Sequence, residues 1–492
     1  MDRMFEHYDR LGFFNPFYVA DETGFHIDPD FSKIIRHSRD RLIDPVAVVE
    51  ILIKNYCFAD RTPIRGIRRT PWMAKPNASG DGWEFFDLPA HGDRVVGADA
   101  IADELFARLK DEVLELVEGR KTVGILLSGG MDSRMVAAAL DCLITSGRLE
   151  GMKVVALSWG NEDSRDAVYS AEIARRLGWE WEHFVVTAGD VVTNIRETAK
   201  RGCEYSPIHL HAIPKIRELG GLDCILAGSF GDSVGRAEFS GKDVHALQPI
   251  DAGITNRYRM LDARLFETYR EACHEDVETY HRRFPRPAAY QQNELDQQLH
   301  YMRRMINPCM GIINEKIPVY QLFSKPSVFG FMWSIAPQLR TNEIYRSMMR
   351  HYCHRIGDIP WARTGLPFPQ THGETDGLES IHDSYRHIIN HEIFDTLKQM
   401  VLSEEVSRLG LFNMDALESL LAINRLLPHP DRTWLDDKLL WIASLSEFAK
   451  LYHIRGVSQK ERTFGDRFVG KAVAPTEFFT EKVVNKIKKF RT

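Results

Sequence analysis

An α/β fold with a parallel sheet and helices on both faces is predicted by three observations. Apolar runs bounded by polar turns recur at Val123–Leu127, Lys153–Ser158, Glu182–Val186 and Cys224–Ala227. Stretches with helical spacing of apolar residues separate them, the alternation that builds parallel sheets. Three of the four runs end in turns bearing glycine, serine or asparagine, where ligands of open parallel sheets sit.

Taken in order, residues 1–95 read as mixed β and turn. Strand-like runs stand at Phe17-Tyr18-Val19-Ala20 and Trp83-Glu84-Phe85-Phe86, with a loop at Asn77 to Gly82 before the second. A linker around Ala90-His91-Gly92-Asp93 leads into a helix over Ala98–Glu118, whose apolar positions Ile101, Leu105, Leu109, Val113 and Leu116 recur every three or four residues. A second helical pattern follows the first buried strand through Met135, Val136, Ala139 and Leu140. A third covers Asp166–Leu177, with Ala167, Ala171 and Ala174 on one face. Beyond residue 255 the pattern is mostly helical, with loops near 285–290, 364–376 and 428–432.

The chain of 492 residues is 44% hydrophobic, enough for two or three packed domains, and its charge of −6 gives no global drive toward nucleic acid. Seven scattered cysteines without a C-x-x-C pair predict reduced thiols in a cytoplasmic protein, with neither a disulfide framework nor a zinc site. His351, Cys353 and His354 lack a second ligand pair and read as helix surface. No apolar run approaches the roughly 20 residues that span a bilayer. Met1 to Glu6 does not read as a signal peptide, because acidic residues interrupt it.

Candidate chemistry centres on Ser128-Gly129-Gly130-Met131-Asp132-Ser133. A strand that breaks at two glycines and opens into a helix forms an anion cradle, with backbone N–H groups and the helix dipole facing the ligand. Ser128 and Ser133 add hydroxyl donors, and Asp132 is placed to hold a metal beside phosphates. Glycines alone would equally suit a tight strand-to-helix turn. Two further strand ends carry Ser158-Trp159-Gly160-Asn161 and Gly228-Ser229-Phe230-Gly231-Asp232-Ser233. Asp232 is either a second metal ligand or a helix cap.

Ser-Gly-Gly-x-Asp-Ser resembles the pyrophosphate loop of the N-type ATP pyrophosphatases, and the order of segments resembles the synthetase domain of asparagine synthetases and their relatives, the β-lactam synthetases and lasso-peptide cyclases. Trp159-Gly160 matches a family turn, and Leu177-Gly178 the end of a family helix. The family's Ser-Gly-Asp-Gly-Ala-Asp-Glu turn corresponds to residues 227–233, with its second Asp kept as Asp232, its first replaced by Ser229 and its Glu by Ser233. Upstream, Pro16 to Ala20, Asp60 to Ile67 and Phe85 to Pro89 resemble the latter half of the family's glutaminase domain. The resemblance covers roughly residues 15–370.

It implies an adenine nucleotide alpha hydrolase-like synthetase domain at 96–380, a truncated glutaminase-like α+β remnant at 1–95 and a helical extension at 381–492. It implies ATP and Mg2+, with Leu127 to Ser133, Leu157 to Gly160 and Gly228 around the nucleotide and Asp132 and Asp232 on the metal. The family's amino-terminal cysteine nucleophile is absent: residue 2 is Asp and the first cysteine is Cys57, so no glutamine hydrolysis is expected. No lysine stands at the place expected near Leu339, which leaves Arg340 or Arg346 for that work unless each pairs with acidic neighbours.

The implied reaction is adenylation of a carboxylate on a small molecule, peptide or glycan precursor, then transfer of the acyl group to ammonia or an amine. Ammonia would come from solution or a separate glutaminase. His209 or His211 would act as base, or be merely solvated. Rival readings are a nucleobase-activating pyrophosphatase and a nucleotide-binding scaffold in a partner complex, to which the changes at Ser229, Ser233 and Asn342 lend credit. The basic amphipathic tail from Thr476 would dock on its own protein, or touch a membrane surface or an acidic partner. The arginines at 61, 65, 68 and 69 read as a solvated face.

Overall fold

A computed structural model of the chain describes residues 8–12, 15–373, 375, 377–378, 385–426, 433–457 and 468–480. Near the start of the chain, β1 (Phe17–Asp21) pairs antiparallel with β2 (Gly24–Asp28) and with β3 (Arg68–Arg69). Strands β4 (Ala74–Pro76) and β5 (Trp83–Phe85) form a separate antiparallel pair. The central sheet has five strands, all parallel: β6 (Thr122–Leu126), β7 (Lys153–Trp159), β8 (Glu180–Phe184), β9 (Cys224–Ala227) and, much later in the chain, β12 (Val319–Gln321). Their order is β12-β9-β6-β7-β8, and β10 (Glu238–Phe239) with β11 (Lys242–Asp243) makes a short hairpin beside it.

Alternation along the strands covers both faces of this sheet. Val123, Ile125, Val154, Ala156, Cys224 and Leu226 join a core with the helices Ala98–Val117 and Met131–Thr145. Leu126, Val155, Leu157, Ile225 and Val319 face the other way, onto Ile213–Arg217 and Asn307–Asn314. Each fully buried aliphatic side chain among them contributes about 1.5–3 kcal/mol relative to exposure.

Three local expectations change. The third strand runs over Glu180–Phe184, two residues earlier than its apolar run, because its ladder with β7 ends at Trp159 and Phe184. A shift of two keeps each side chain on its expected face. The region read as β and turn also holds a helix, Pro45–Lys54, capped by the Asp44 carboxylate on Val46 N–H and stopped by Asn55 in the left-handed region.

The arginine stretch is not a solvated face. Arg61 pairs with Asp44 and Asp276, and Arg69 grips Glu204 while lying 3.5 Å over the Phe17 ring. Only Arg65 of the four is exposed. These pairs face a second buried layer on a late helix, where Arg304 meets Glu204 at 2.8 Å and Arg303 meets Asp60 at 2.8 Å. They tie the early segment to the rest of the chain.

A large core also joins Phe17, Phe31 and Val48 to Leu439, Trp441 and Phe448 of the helix Thr433–Tyr452. At the start of the amphipathic tail, Phe478 is buried with its ring 5.3 Å from Tyr258, and Glu477 pairs with Arg259. The basic positions from Lys482 to Arg491 lie outside the described residues, as does the loop expected at 428–432. No helix among the described residues is long and apolar enough to cross a membrane.

Candidate functional site

Strand β6 hands over to a turn whose direction is fixed by its own polar groups. Leu127 still donates its N–H to the Leu157 carbonyl at 2.9 Å. The Ser128 and Ser133 hydroxyls then lie 3.2 Å apart, and Ser128 Oγ accepts the Gly130 N–H at 3.1 Å. Gly130 takes the N-cap of Met131–Thr145 with no side chain bonded over it, so the helix presents its positive end at the turn. Gly129 N–H points instead to Asp166 Oδ1 at 3.2 Å, on the first turn of the next helix.

The carboxyl ends of β6, β7 and β9 surround a cavity of about 360 Å³. Of the residues singled out in the sequence, Leu127, Ser128, Gly130, Asp132 and Ser133 line it from the first turn. Ser158 and Trp159 line it from the second and Gly228 from the third, with Ser229 beside it. Gly129, Met131, Leu157, Gly160, Asp232 and Arg340 are not on its wall. Met131 and Leu157 are core side chains, and the Gly160 N–H already donates to Phe184 O at 3.1 Å.

The turn after β9 is built around Asp132. A Cβ on Gly228 would stand 2.7 Å from Ser133 N, and one on Gly231 only 2.4 Å from Asp132 Cβ. The absent side chains let the two turns interlock. Phe230 turns the chain through the left-handed region at φ 69°, and a π-helical turn, Gly231–Gly235, follows. Tyr345, on the helix Asn342–Tyr352, donates its hydroxyl to Gly231 O at 2.8 Å. Ser233 turns inward, its hydroxyl on Phe230 O.

This interlocking concentrates charge. Asp132 Oδ1 is buried with no hydrogen-bond partner among the described residues. Burial raises the Asp132 pKa, against the pull of Arg236. Burial and the neighbouring Asp132 carboxylate push Asp232 to about 7. The compensating cation is Arg236, whose Nη2 stands 3.8 Å from Asp132 Oδ1. Its Nη1 is held by Glu238 at 3.1 Å and Asn342 Oδ1 at 2.9 Å, with the Tyr345 and Trp361 rings against it. Burial disfavours this cation, but Asp132, Tyr345, Glu238 and Asp232 together leave its pKa raised. Arg363 reaches the same cluster by pairing with Glu238.

Arg236 was not among the residues that the sequence singled out. It follows a glycine on a short turn; Glu238 is a near neighbour in sequence, but Asp132 lies far upstream and Asn342 far downstream. Its nearness to Asp232 was the available signal. Asp166 was likewise read only as part of a helix. The two arginines named instead are placed elsewhere: Arg340 is fully buried in a two-pronged pair with Glu294 at 2.7 and 2.8 Å, and Arg346 pairs with exposed Glu343. Of the two histidines, His211 lines the cavity and His209 does not. His211 stacks on Trp159 at 5.6 Å, and its Nδ1 meets the Tyr385 hydroxyl at 2.5 Å.

A parallel sheet whose first strand ends in a serine–glycine turn opening into a helix, with a pair of carboxylates beside it, defines an α/β protein with a candidate anion-binding site at its strand ends. Residues 104–306 match the asparagine synthase family, so the chain carries an asparagine synthase-like domain. Over 134 residues it is 26% identical to a Methanocaldococcus jannaschii protein provisionally named asparagine synthetase (glutamine-hydrolyzing) 1. That match takes in 26% of this chain and 23% of the relative's length.

Proposed function

We propose that the protein is an ATP-dependent ligase that adenylates a substrate carboxylate, releases pyrophosphate and passes the acyl group to ammonia or an amine. The observation that carries this reading is Asp132 Oδ1, a buried carboxylate oxygen with no hydrogen-bond partner among the described residues, on a residue that lines the cavity with the serine–glycine turn and has Asp232 behind it. A buried carboxylate oxygen that lacks a hydrogen bond and has a guanidinium only at 3.8 Å is costly unless a closer cation completes it. Asp132 and Asp232 offer the oxygen donors that Mg2+ takes. Bound there with ATP, Mg2+ would supply charge neutralisation on the phosphates.

The chain's own groups have separable tasks in this reading. The Gly130 end of the helix and the Ser128 and Ser133 hydroxyls receive the departing pyrophosphate. Arg236, together with Arg363, takes the place of the missing lysine as the source of fixed positive charge. Held by Glu238 and Asn342, it keeps the Asp132 carboxylate oriented. Ser158 and Trp159 bound the nucleoside end. The carboxylate attacks the α-phosphorus, so its carbonyl gains AMP as leaving group in place of oxide. The nitrogen nucleophile then attacks that carbonyl, and His211 is positioned to take its proton.

Glutamine hydrolysis has no place in this scheme. Cys57 is fully buried, and burial raises its thiol pKa well above the ordinary value, the opposite of an activated nucleophile. Nitrogen therefore comes from free ammonia, an amine substrate or a separate glutaminase. Seven unpaired cysteines suit a reducing compartment such as the cytoplasm. The test is pyrophosphate release from ATP and Mg2+ across a panel of carboxylic acids. Release that requires one acid supports the reading; ATP binding with no release for any acid, ammonia or amine present, removes it.

A further inference from the structure

Outside the cavity lining, the β1–β2 hairpin and the turn Ile35–His37 bring together three side chains that the proposed ligase chemistry does not use. Asp21 ends β1, His26 lies on β2, and His37 closes the turn. One ligand atom from each falls within 4.8 Å of the other two. The His26 and His37 rings lie face to face, with centroids 4.1 Å apart and planes 17° from parallel. Asp21 Oδ2 meets His26 Nε2 at 2.8 Å.

We propose that Asp21, His26 and His37 form a binding site for a divalent transition cation of the zinc type, which clips the hairpin to the following turn. Two imidazoles and a carboxylate are donors that zinc accepts, with a fourth position left for water. Hard cations such as Mg2+ prefer an all-oxygen shell, so this donor set is chemically distinct from the Asp132–Asp232 pair. Ligand atoms around a tetrahedral zinc stand about 3.4 Å apart, given bonds of about 2.0–2.2 Å. The Asp21–His26 pair, at 2.8 Å, must open by roughly 0.6 Å, and a pair at the 4.8 Å limit must close by on the order of 1 Å. The stacked imidazoles must also splay to aim at one ion, adjustments open to rotation of exposed and partly exposed side chains.

The supports of the site are already set. Thr23 donates both its hydroxyl (2.6 Å) and its N–H (2.8 Å) to Asp21 Oδ1, which turns the other oxygen toward the imidazoles. Such outer hydrogen bonds orient metal ligands. The turn bearing His37 cannot drift, because Ile34 and Ile35 beside it are buried in the core. The backbone thus holds all three positions in place before any ion arrives.

The probe is Zn2+ alone, titrated into tag-free full-length protein against a chromophoric chelator, with Co2+ absorption as a reporter of coordination. The wild type is expected to hold one more Zn2+ than the double variant His26→Ala/His37→Ala. Each single histidine variant should weaken that ion at least tenfold, and Thr23→Ala by about tenfold. Millimolar Mg2+ should not displace it, and Asp132→Asn should leave it in place. The substituted hairpin and turn groups are exposed or partly exposed, so unchanged melting temperatures will show that those variants fold. Equal zinc stoichiometry and affinity in the wild type and the double variant would overturn the proposal.

Discussion

Arg340 and Arg236 are both buried guanidiniums beside carboxylates, yet they stand in opposite electrostatic situations. At Arg340 both carboxylate oxygens of its partner are answered. Glu294 takes both prongs and also meets His91 Nε2 at 3.2 Å, and His91 stacks on Trp333 at 4.5 Å. Burial alone would raise the Glu294 pKa, but Arg340 and His91 outweigh it and hold the carboxyl at about 2. At Arg236 the charge is divided among several acids, Asp132 keeps an unpartnered oxygen, and Asp232 sits at about 7. A satisfied pair builds a core; an unsatisfied one marks where a ligand completes the molecule.

The largest expected effect tests the satisfied side. Arg340→Leu leaves Glu294 buried without its partner and should cost about 3–5 kcal/mol of stability, read as a fall in melting temperature. The pair also sets an acid limit. Because the Glu294 pKa is depressed in the folded chain, its stabilisation is present above its ordinary value of 4.5 and is lost as pH falls toward about 2. The gap in melting temperature between wild type and Glu294→Gln should accordingly close across that window. A gap that stays constant would mean that Glu294 is not the group responsible.

Asp132→Asn tests the other side. Pyrophosphate release should fall about 10²–10³-fold, the scale of removing one charge-stabilising group. Its melting temperature in the absence of nucleotide should hold or rise, since a buried, crowded charge is removed. A stability loss like that of Arg340→Leu would erase the contrast. Gly231→Ala comes next: its Cβ would lie 2.4 Å from Asp132 Cβ, so about 1–3 kcal/mol of strain and a loss of release are expected together. A third arginine sets the baseline. Arg346 is exposed and, among the described residues, paired only with Glu343, so Arg346→Ala should change stability by no more than about 0.5 kcal/mol and leave release unaltered.

The parallel sheet was legible where apolar runs met glycine, as at β6, β7 and β9. Strand β12 was not, because Val319–Gln321 is three residues long and is a strand only by virtue of pairing with β9. The helix at Pro45 carried its signature in Asp44-Pro45, but its mostly apolar stretch Val46 to Ile53, interrupted by Glu50, is as compatible with a strand. Within the site, the turns themselves could be read from their glycines. What those glycines accommodate could not: at Gly228 and Gly231 the neighbour is Asp132 and its backbone, brought there by folding. Arg236 and Arg340 look alike in a sequence and are told apart only by what surrounds them.

One more buried cation has a mechanical consequence. Arg134, on the first turn of the helix after the serine–glycine loop, has its guanidinium bonded to four main-chain carbonyls: Gly129 at 3.2 Å, Ile356 at 3.5 Å, Ile359 at 2.6 Å and Pro360 at 3.0 Å. Ala362 N–H adds a fifth link, to Gly129 O at 3.1 Å. A flat fork can reach carbonyls from two strands of chain at once, whereas a lysine presents one small head. The loop and the segment 356–362 are therefore riveted into one rigid piece. Any opening of the cavity must hinge elsewhere on its rim.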